Sequence, residues 1–208
     1  QPDKVEPMPQ PEPRPPREAR PLKMSVTAIE DWLRDPYTIY ARYILRLDPL
    51  DPVDMPLSAA DRGSAIHESL GEFTQTYADA LPDDIKSALR DIGAKHFKPL
   101  MERPEARALW WPRFQRIAAW FAEWEQARRG SIDAIKAEIR GEIGIPLDDA
   151  RTFVLSARAD RIERRDDGSF AILDYKTGRV PTEKQQKLFA KQLLLMAAMA
   201  ERGAFGSL

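Results

Sequence analysis

The chain has 208 residues, a formal net charge of −1 and 43% hydrophobic residues, which is typical of a folded domain with a sizeable core. It contains no cysteine, which excludes disulfides, thiolate metal sites and a cysteine nucleophile, and suits a cytoplasmic protein. No apolar run approaches the ~18 residues of a membrane span, and the near-zero charge requires any nucleic-acid partner to be met by a local basic patch.

The first 21 residues carry eight of the eighteen prolines. Proline fixes φ and lacks an N–H donor, so residues 1–21 are predicted to be a disordered linker. The chain begins with Gln1 rather than Met and shows no signal peptide. We therefore expect a domain at 22–208 that the linker tethers to the rest of a longer protein.

Residues 22–130 are predicted to be helical. Ser25 or Thr27 is a candidate N-cap for the first helix, a second helix covers about 58–80, and residues 83–130 form two or more helices. The last segment is rich in tryptophan, which we interpret as helix packing, with stacking on bases as the alternative.

Residues 131–208 are predicted to hold the sheet and a final helix. Alternating patterns predict strands at 137–147, 151–165 and 169–177 in an antiparallel meander, followed by one helix at about 182–202. The order of helices, three strands and a helix predicts an α+β or mixed α/β domain.

Two acids interrupt the last two strands: Asp160 in "RADRI" and Asp174 in "LDYKTG". Alternation places Asp160 on one face with Arg158 and Ile162. A two-residue turn would set Asp160 opposite Tyr175, whereas a three-residue loop at 166–168, with glycine in the left-handed region, sets Asp160 opposite Asp174. The three-residue loop is our prediction.

Two carboxylates about 5 Å apart repel unless a proton or a cation lies between them. Carboxylate oxygens favour Mg²⁺ or Mn²⁺, and Lys176 lies on the same strand face as Asp174, where an ammonium could orient water or stabilise charge on a phosphate. This set suits metal-assisted phosphodiester hydrolysis. The alternative is a solvent-facing charged sheet whose acids pair with arginines.

Three motifs, "GSAIHE", "ARADRIERRDDGSFAILDYKTG" and "KQLLLMAAMA", resemble the RecB-type nuclease domain of the PD-(D/E)XK superfamily, and most of all the C-terminal nuclease domain of AddB-type helicase–nuclease subunits. The resemblance covers roughly residues 24–205. It implies a restriction-endonuclease-like core, with a mostly antiparallel central sheet flanked by helices and an added helical region.

The resemblance also implies roles for single residues. His67, Asp160 and Asp174 match metal-binding positions, the backbone carbonyl of Tyr175 would join them, and Lys176 matches the catalytic lysine. From the residues alone, a lone histidine such as His67 is more often a capped or partly buried helix residue than a ligand. Gly63 and Gly71 nevertheless leave the helical face around it open to a close approach.

Gln192 matches the glutamine of a helical motif near the active site and the DNA. It falls on an otherwise apolar helical face, where a buried amide needs partners, so an ordinary buried hydrogen bond is the alternative. Met196 stands where that motif often has tyrosine. Some relatives bind an iron–sulfur cluster through four cysteines, which this chain lacks, and the family fold has a further strand after the last helix, where this chain stops.

Phosphate contacts are expected from basic residues between Arg151 and Lys184, a stretch with eight Lys/Arg and six Asp/Glu. The candidates are Arg158, Arg161, Lys176, Arg179 and Lys184. A solvated charged sheet edge is the alternative for each of them.

The sequence therefore predicts a Mg²⁺- or Mn²⁺-dependent nuclease domain that cuts single-stranded DNA, as the nuclease module of a helicase–nuclease in double-strand break repair. The helicase partner comes from the resemblance alone, because the chain has no G-x-x-x-x-G-K-[ST] motif. Two alternatives stay open: an inactive DNA-holding or subunit-docking module, and a stand-alone Cas4-like exonuclease.

Overall fold

The structure, a computed structural model, describes residues 8, 11–50, 53, 55–148 and 150–206. Of the predicted linker, residues 1–7, 9 and 10 lie outside the described residues. Residues 11–21 form one short 3-10 turn, Arg17–Ala19, and otherwise irregular backbone. This segment lies against the domain, because the Tyr37 hydroxyl donates to the carbonyl of Pro11 and Arg151 Nη1 donates to the carbonyl of Arg17 at 3.1 Å.

Helices occupy most of the region before residue 130. The α-helices are α1 Val26–Arg34, α2 Pro36–Ile39, α3 Ala59–Thr76, α4 Ile85–Phe97, α5 Trp111–Arg128, α6 Glu183–Leu188 and α7 Gln192–Glu201. Ser25 is the N-cap of α1, since its hydroxyl accepts from the N–H of Ala28 at 3.0 Å. Ser58 and Asp61 form a capping box that begins α3. No helix in the described ranges is long and apolar enough to cross a membrane.

The sheet is mixed and has a long central strand. The strands are β1 Lys23–Ser25, β2 Ile132–Pro146, β3 Thr152–Arg165 and β4 Phe170–Leu173. β2 runs antiparallel along one edge of β3, while β1 (parallel) and β4 (antiparallel) pair with the two ends of the other edge. The predicted mixed α/β class is confirmed. The prediction that residues 22–130 are wholly helical is wrong, since this region contains β1. The sequence did not indicate β1 because it is too short to show a two-residue period and depends on a distant partner.

The hairpin between β3 and β4 has the predicted three-residue loop. Arg165 pairs across the turn, its N–H donating to the carbonyl of Ser169 at 2.9 Å, and Gly168 has φ +79°. The ladder continues from this point to the pair Arg161 and Leu173. One step further, past the end of β4, the same register sets Asp160 opposite Asp174, as the three-residue loop predicts.

The predicted single helix at 182–202 is wrong, because the structure divides it into α6 and α7. Phe189 leaves helical geometry at φ −143°. Contacts from α1 stabilise the break: the Arg34 guanidinium lies 4.8 Å from the centre of the Phe189 ring, and the Glu30 carboxylate accepts the N–H of Gln192 at 2.6 Å. Gln192 therefore begins α7 instead of lying in the middle of a helix.

Two larger apolar clusters build the core of the described residues, beside a small third cluster of Met24, Ala28 and Ile39. One joins α3, α4 and α5 around buried phenylalanines and leucines, with Trp111 and Trp124 packed against it as predicted, whereas Trp120 remains 60% exposed. The other joins α1, α7 and β3 and contains both Ala159 and Ile162. Strict alternation would put those two side chains on opposite faces of β3, so the alternation breaks between them.

A network of charged side chains lies inside the domain beside this break; we call it the buried ion network, and it comprises Glu125, Arg128, Arg129, Arg161 and Glu163. Arg161, with no exposed side-chain surface, donates to both oxygens of Glu125, at 2.7 and 3.1 Å, and its Nε lies 2.7 Å from Glu163 Oε1. Arg129 and Arg128 add ion pairs to the two glutamates. The network joins α5 to the central strand.

Candidate active site

Asp160 and Asp174 approach each other where β3 and β4 stop pairing. Their side chains are 15% and 8% exposed. The Asp160 carboxylate accepts the backbone N–H of Tyr175 at 2.7 Å, so the chain after β4 is anchored on the carboxylate of the neighbouring strand. The hairpin length thus brings together the two acids that the sequence singled out.

Lys176 and Gln192 bind the Asp174 carboxylate, one at each oxygen. The Lys176 ammonium lies 2.5 Å from Oδ2, and the Gln192 amide donates to Oδ1 at 2.9 Å. Lys176 Nζ also lies 3.4 Å from Gln192 Oε1. The Glu30 carboxylate accepts the backbone N–H of Gln192, so α1 as well as α7 positions the side-chain amide of this residue.

His67 faces the same carboxylates from α3. Its Nδ1 lies 3.4 Å from Asp160 Oδ2, and the side chain is 30% exposed. The hydrogen bond to Asp160 raises the pKa of His67, and the nearby charges of Asp174 and Glu138 add to this. Burial alone would raise the pKa of Asp160, but the hydrogen bonds from His67 and from the N–H of Tyr175 outweigh it and lower that pKa.

Glu138 is a further acid that sequence reasoning missed. It lies on β2 between Ala137 and Ile139, which pair with the residues on either side of Asp160. Its φ of +52° is unusual for a residue other than glycine. Its carboxylate lies 2.7 Å from Arg158 Nε, and burial raises its pKa, with Asp160 adding to the effect and Arg158 opposing it. The length of the loop between β2 and β3 could have indicated Glu138, because the loop sets the register that places position 138 beside Asp160.

Two glycines let β2 and the segment after β4 come close to α3 around His67, as their spacing predicted. A Cβ on Gly71 would lie 2.8 Å from both Cγ and Oε1 of Glu138, and a Cβ on Gly63 would lie 3.3 Å from Thr177 Oγ1. Larger residues here would push Glu138 and Thr177 away from the helix. The open helical face is therefore what admits Glu138 to the site.

Apart from Lys176, the predicted DNA-contacting basic residues comprise one buried arginine, one arginine paired with an acid and two exposed residues. Arg161 has no exposed surface and is bound within the buried ion network, so the prediction that it contacts phosphate is wrong. The break in alternation explains this, since Asp160 contacts α3 while the next residue contacts α5. For the same reason Asp160 does not share a face with Ile162. Arg158 pairs with Glu138, and Arg179 and Lys184 are exposed.

The donor types of the site fit a hard divalent ion. Asp160, Asp174 and Glu138 offer carboxylate oxygens and His67 an imidazole nitrogen, a set suited to Mg²⁺ or Mn²⁺. Among residues 8, 11–50, 53, 55–148 and 150–206, no group of three or more such side chains converges closely enough to coordinate an ion. The cationic position beside Asp174 is filled by the ammonium of Lys176.

Comparison with known proteins identifies the family of this chain. The family model of the PD-(D/E)XK nuclease superfamily matches residues 23–207. An uncharacterized protein of Rickettsia bellii is 30% identical over 183 residues, which cover 88% of this chain and 22% of the relative. Another from Rickettsia conorii is 28% identical over 190 residues, 89% of this chain and 23% of the relative.

A third relative is a subunit of the ATP-dependent helicase/deoxyribonuclease of Clostridium acetobutylicum. It is 28% identical over 180 residues, which cover 76% of this chain and 15% of the relative. The chain thus spans less than a quarter of the length of each of these relatives. The family match extends from β1 to the end of the second core cluster and includes every residue of the candidate active site. The chain belongs to the PD-(D/E)XK nuclease superfamily.

Proposed function

We propose that this domain is a divalent-metal-dependent deoxyribonuclease that hydrolyses phosphodiester bonds in single-stranded DNA. One observation carries the proposal: Asp160 on β3 and Asp174, the residue after β4, lie side by side with His67 and Lys176 bound to them, in a chain of a nuclease superfamily. A charged sheet paired with arginines would not need a histidine and an amide directed at the same two carboxylates.

The wider setting we propose is the nuclease module of a helicase–nuclease in double-strand break repair. It is supported by the similarity to the clostridial helicase/deoxyribonuclease chain and by the small share of each relative that this chain covers. In that setting a helicase partner would feed a single DNA strand to the site, and residues 1–21 would connect the domain to the rest of its own polypeptide.

The residues that would hold Mg²⁺ or Mn²⁺ are His67, Asp160, Asp174 and the backbone carbonyl of Tyr175, with Glu138 close enough to add a carboxylate charge. A bound divalent ion would neutralise phosphate charge and lower the pKa of a bound water, which makes hydroxide accessible near neutral pH.

The protein's own groups supply position and charge. The Tyr175 N–H fixes the orientation of the Asp160 carboxylate, and the Gln192 amide does so for Asp174. The Lys176 side chain is 40% exposed, so its ammonium can donate to a phosphate oxygen as negative charge develops there. Arg158, Arg179 and Lys184 are the remaining candidates for holding the DNA backbone, which positions a strand without reading its bases.

Cleavage of end-labelled single-stranded DNA, with Mg²⁺ or Mn²⁺ and with EDTA, tests the proposal. Lys176→Ala and Asp174→Asn should each slow cleavage by at least about 10²-fold, the loss typical of removing a group that stabilises transition-state charge. Lys86→Ala is the matched control, because Lys86 is an exposed lysine paired with Glu123 and not with any residue of the site, and it should cut at the native rate. Metal-dependent cutting that survives both site substitutions would contradict the assignment.

A second function is favoured by one feature. Lys176 neutralises Asp174 and the described residues offer no ready-made ion cage, as expected for an inactive DNA-holding or subunit-docking module. Calorimetric titration with Mn²⁺ decides between the two. The nuclease should bind the ion in a manner that Asp160→Asn and Asp174→Asn weaken, whereas the docking module should show no binding that depends on these residues.

A further inference from the structure

A large groove lies on the far side of α1 from the candidate active site. It encloses about 740 Å³ between residues 11–21, on one side, and α1, α2 and the start of β3 on the other. This volume is within the range of about 300–1,000 Å³ for sites that enclose small ligands. Residues 11–21 form a wall of the groove and leave its interior open.

The groove offers aromatic faces. Trp32 on α1 is 51% exposed and Tyr37 on α2 is 43% exposed, although both are large rings that usually bury most of their surface. Tyr40 and Phe153 line the groove beside them. Exposed, neighbouring aromatic rings are the surfaces on which unpaired bases stack, and they do so with little regard to sequence.

The same groove is lined by more basic than acidic residues. Its charged lining residues in the described part of the chain are Arg14, Arg17, Arg20, Arg151 and Glu12, and Glu12 pairs with Arg14 at 3.4 Å. This contrasts with the whole chain, whose net charge is −1. Aromatic rings rimmed by arginines suit a ligand that has both flat apolar rings and a repeating negative charge.

We propose that this groove binds single-stranded DNA, with bases stacked on Trp32 and Tyr37 and phosphates held by the arginines. The proposal rests on the proposed function, in that it takes the substrate to be DNA. α1 connects the two sites: Trp32 lines the groove, while Glu30 and Arg34 contact the start of α7 and Phe189 next to the active site. A helix is about 10–12 Å across with its side chains, so one strand of a few nucleotides can occupy both sites.

The test is binding of a fluorescent oligothymidylate to the 208-residue chain in EDTA, measured by anisotropy. Trp32→Ala should weaken binding by about five-fold to a hundred-fold, the range for loss of one base–aromatic stack, and Trp32→Phe should restore most of it. Leu33→Ala is the control, since Leu33 is the next residue of the same helix, is 52% exposed and does not line the groove. Arg20→Ala should lower the slope of binding against salt by about one phosphate contact.

Two results would overturn the groove assignment: a Trp32→Ala chain that binds DNA as the native chain does, or a loss of affinity equal to that of Leu33→Ala. Cleavage measured in parallel separates this proposal from the nuclease proposal. If Lys176→Ala loses cleavage while Trp32→Ala binds DNA as the native chain does, the groove proposal is contradicted and the nuclease proposal stands. If Trp32→Ala binds DNA more weakly but the native chain shows no metal-dependent cutting, the groove proposal stands and the nuclease proposal is contradicted. If Trp32→Ala instead impairs association with the rest of a longer polypeptide and leaves DNA binding intact, the groove is a protein-docking surface and our proposal fails.

Discussion

The buried ion network contains Arg161 and the candidate active site contains the preceding residue, Asp160. The charged side chains of the two clusters nevertheless differ in exposure and in how completely they are paired. In the network, Arg161, Glu125 and Glu163 have essentially no exposed surface, and each is bound by an oppositely charged side chain. In the candidate site, His67 and Lys176 keep a substantial exposed fraction, and acids outnumber permanent cations.

The difference shows what separates a structural cluster of charges from one that can act on a ligand. Removing charge from water is costly, so a sealed cluster is stable only when every member is paired. A cluster that remains open and partly unbalanced can exchange its internal partners for a metal ion or a phosphate. The comparison leads to three predictions.

The largest effect on stability is expected from Glu125→Ala. Arg161 would keep a buried charge with one partner fewer, so the free energy of unfolding should fall by about 3–5 kcal/mol, measured by urea denaturation. Glu123→Ala is the matched control: it lies two residues earlier on α5, in an exposed pair with Lys86, and should leave the urea midpoint unchanged. A further variant, Glu125→Leu with Arg161→Met, should recover much of the loss, since a buried pair replaced by apolar side chains is often neutral. Equal effects of Glu125→Ala and Glu123→Ala would mean that the network is not structural.

A smaller effect is expected from Gly71→Ala, on the helix face that admits Glu138. The new methyl group would lie 2.8 Å from Glu138 Cγ, and relief of such overpacking typically costs about 1–3 kcal/mol. Gly63→Ala should cost less, because its Cβ would meet only Thr177 Oγ1 at 3.3 Å. Adding Glu138→Ala to Gly71→Ala should restore stability. If the double variant is no more stable than Gly71→Ala, the clash does not involve Glu138.

The smallest effect is expected in the pH dependence of stability without metal. The pKa of His67 is raised by Asp160, so the contribution of the protonated imidazole is fully present below about pH 6.5, the ordinary histidine value, and is lost as pH rises through the raised pKa. The pKa of Asp160 is lowered, so this carboxylate stays ionised throughout that window. The stability difference between the native chain and His67→Gln, measured in EDTA from acidic to alkaline pH, should therefore shrink as pH rises. A difference that grows with pH would show that the pair is not formed.

Much of the fold and site could be predicted from local sequence rules. The three-residue hairpin follows from glycine's freedom at positive φ, and this one feature brings Asp160 and Asp174 together. The role of Gly63 and Gly71 beside His67 follows from helical spacing. Each of these features is encoded within a short stretch of chain, where alternation and turn chemistry apply directly.

The features of the fold and site that the sequence did not predict depend on contacts between segments far apart in the chain. β1 exists because it pairs with β3, and α7 begins at Gln192 because Glu30 and Arg34 on α1 stabilise the break. The burial of Arg161 could not be inferred from strand alternation, since the alternation fails where Glu138 adopts a positive φ. A local pattern carries no information on such long-range pairing.

The hairpin loop at 166–168 has a consequence for altering this protein. Surface loops usually accept insertions, because few contacts depend on their length. Here one added residue would shift the β4 register, and each later side chain of that strand would pass to the other face of the sheet. Random insertion libraries should therefore recover almost no active clones at this turn, although it is exposed. A fluorescent label is better attached there by substituting Asp166 than by lengthening the loop.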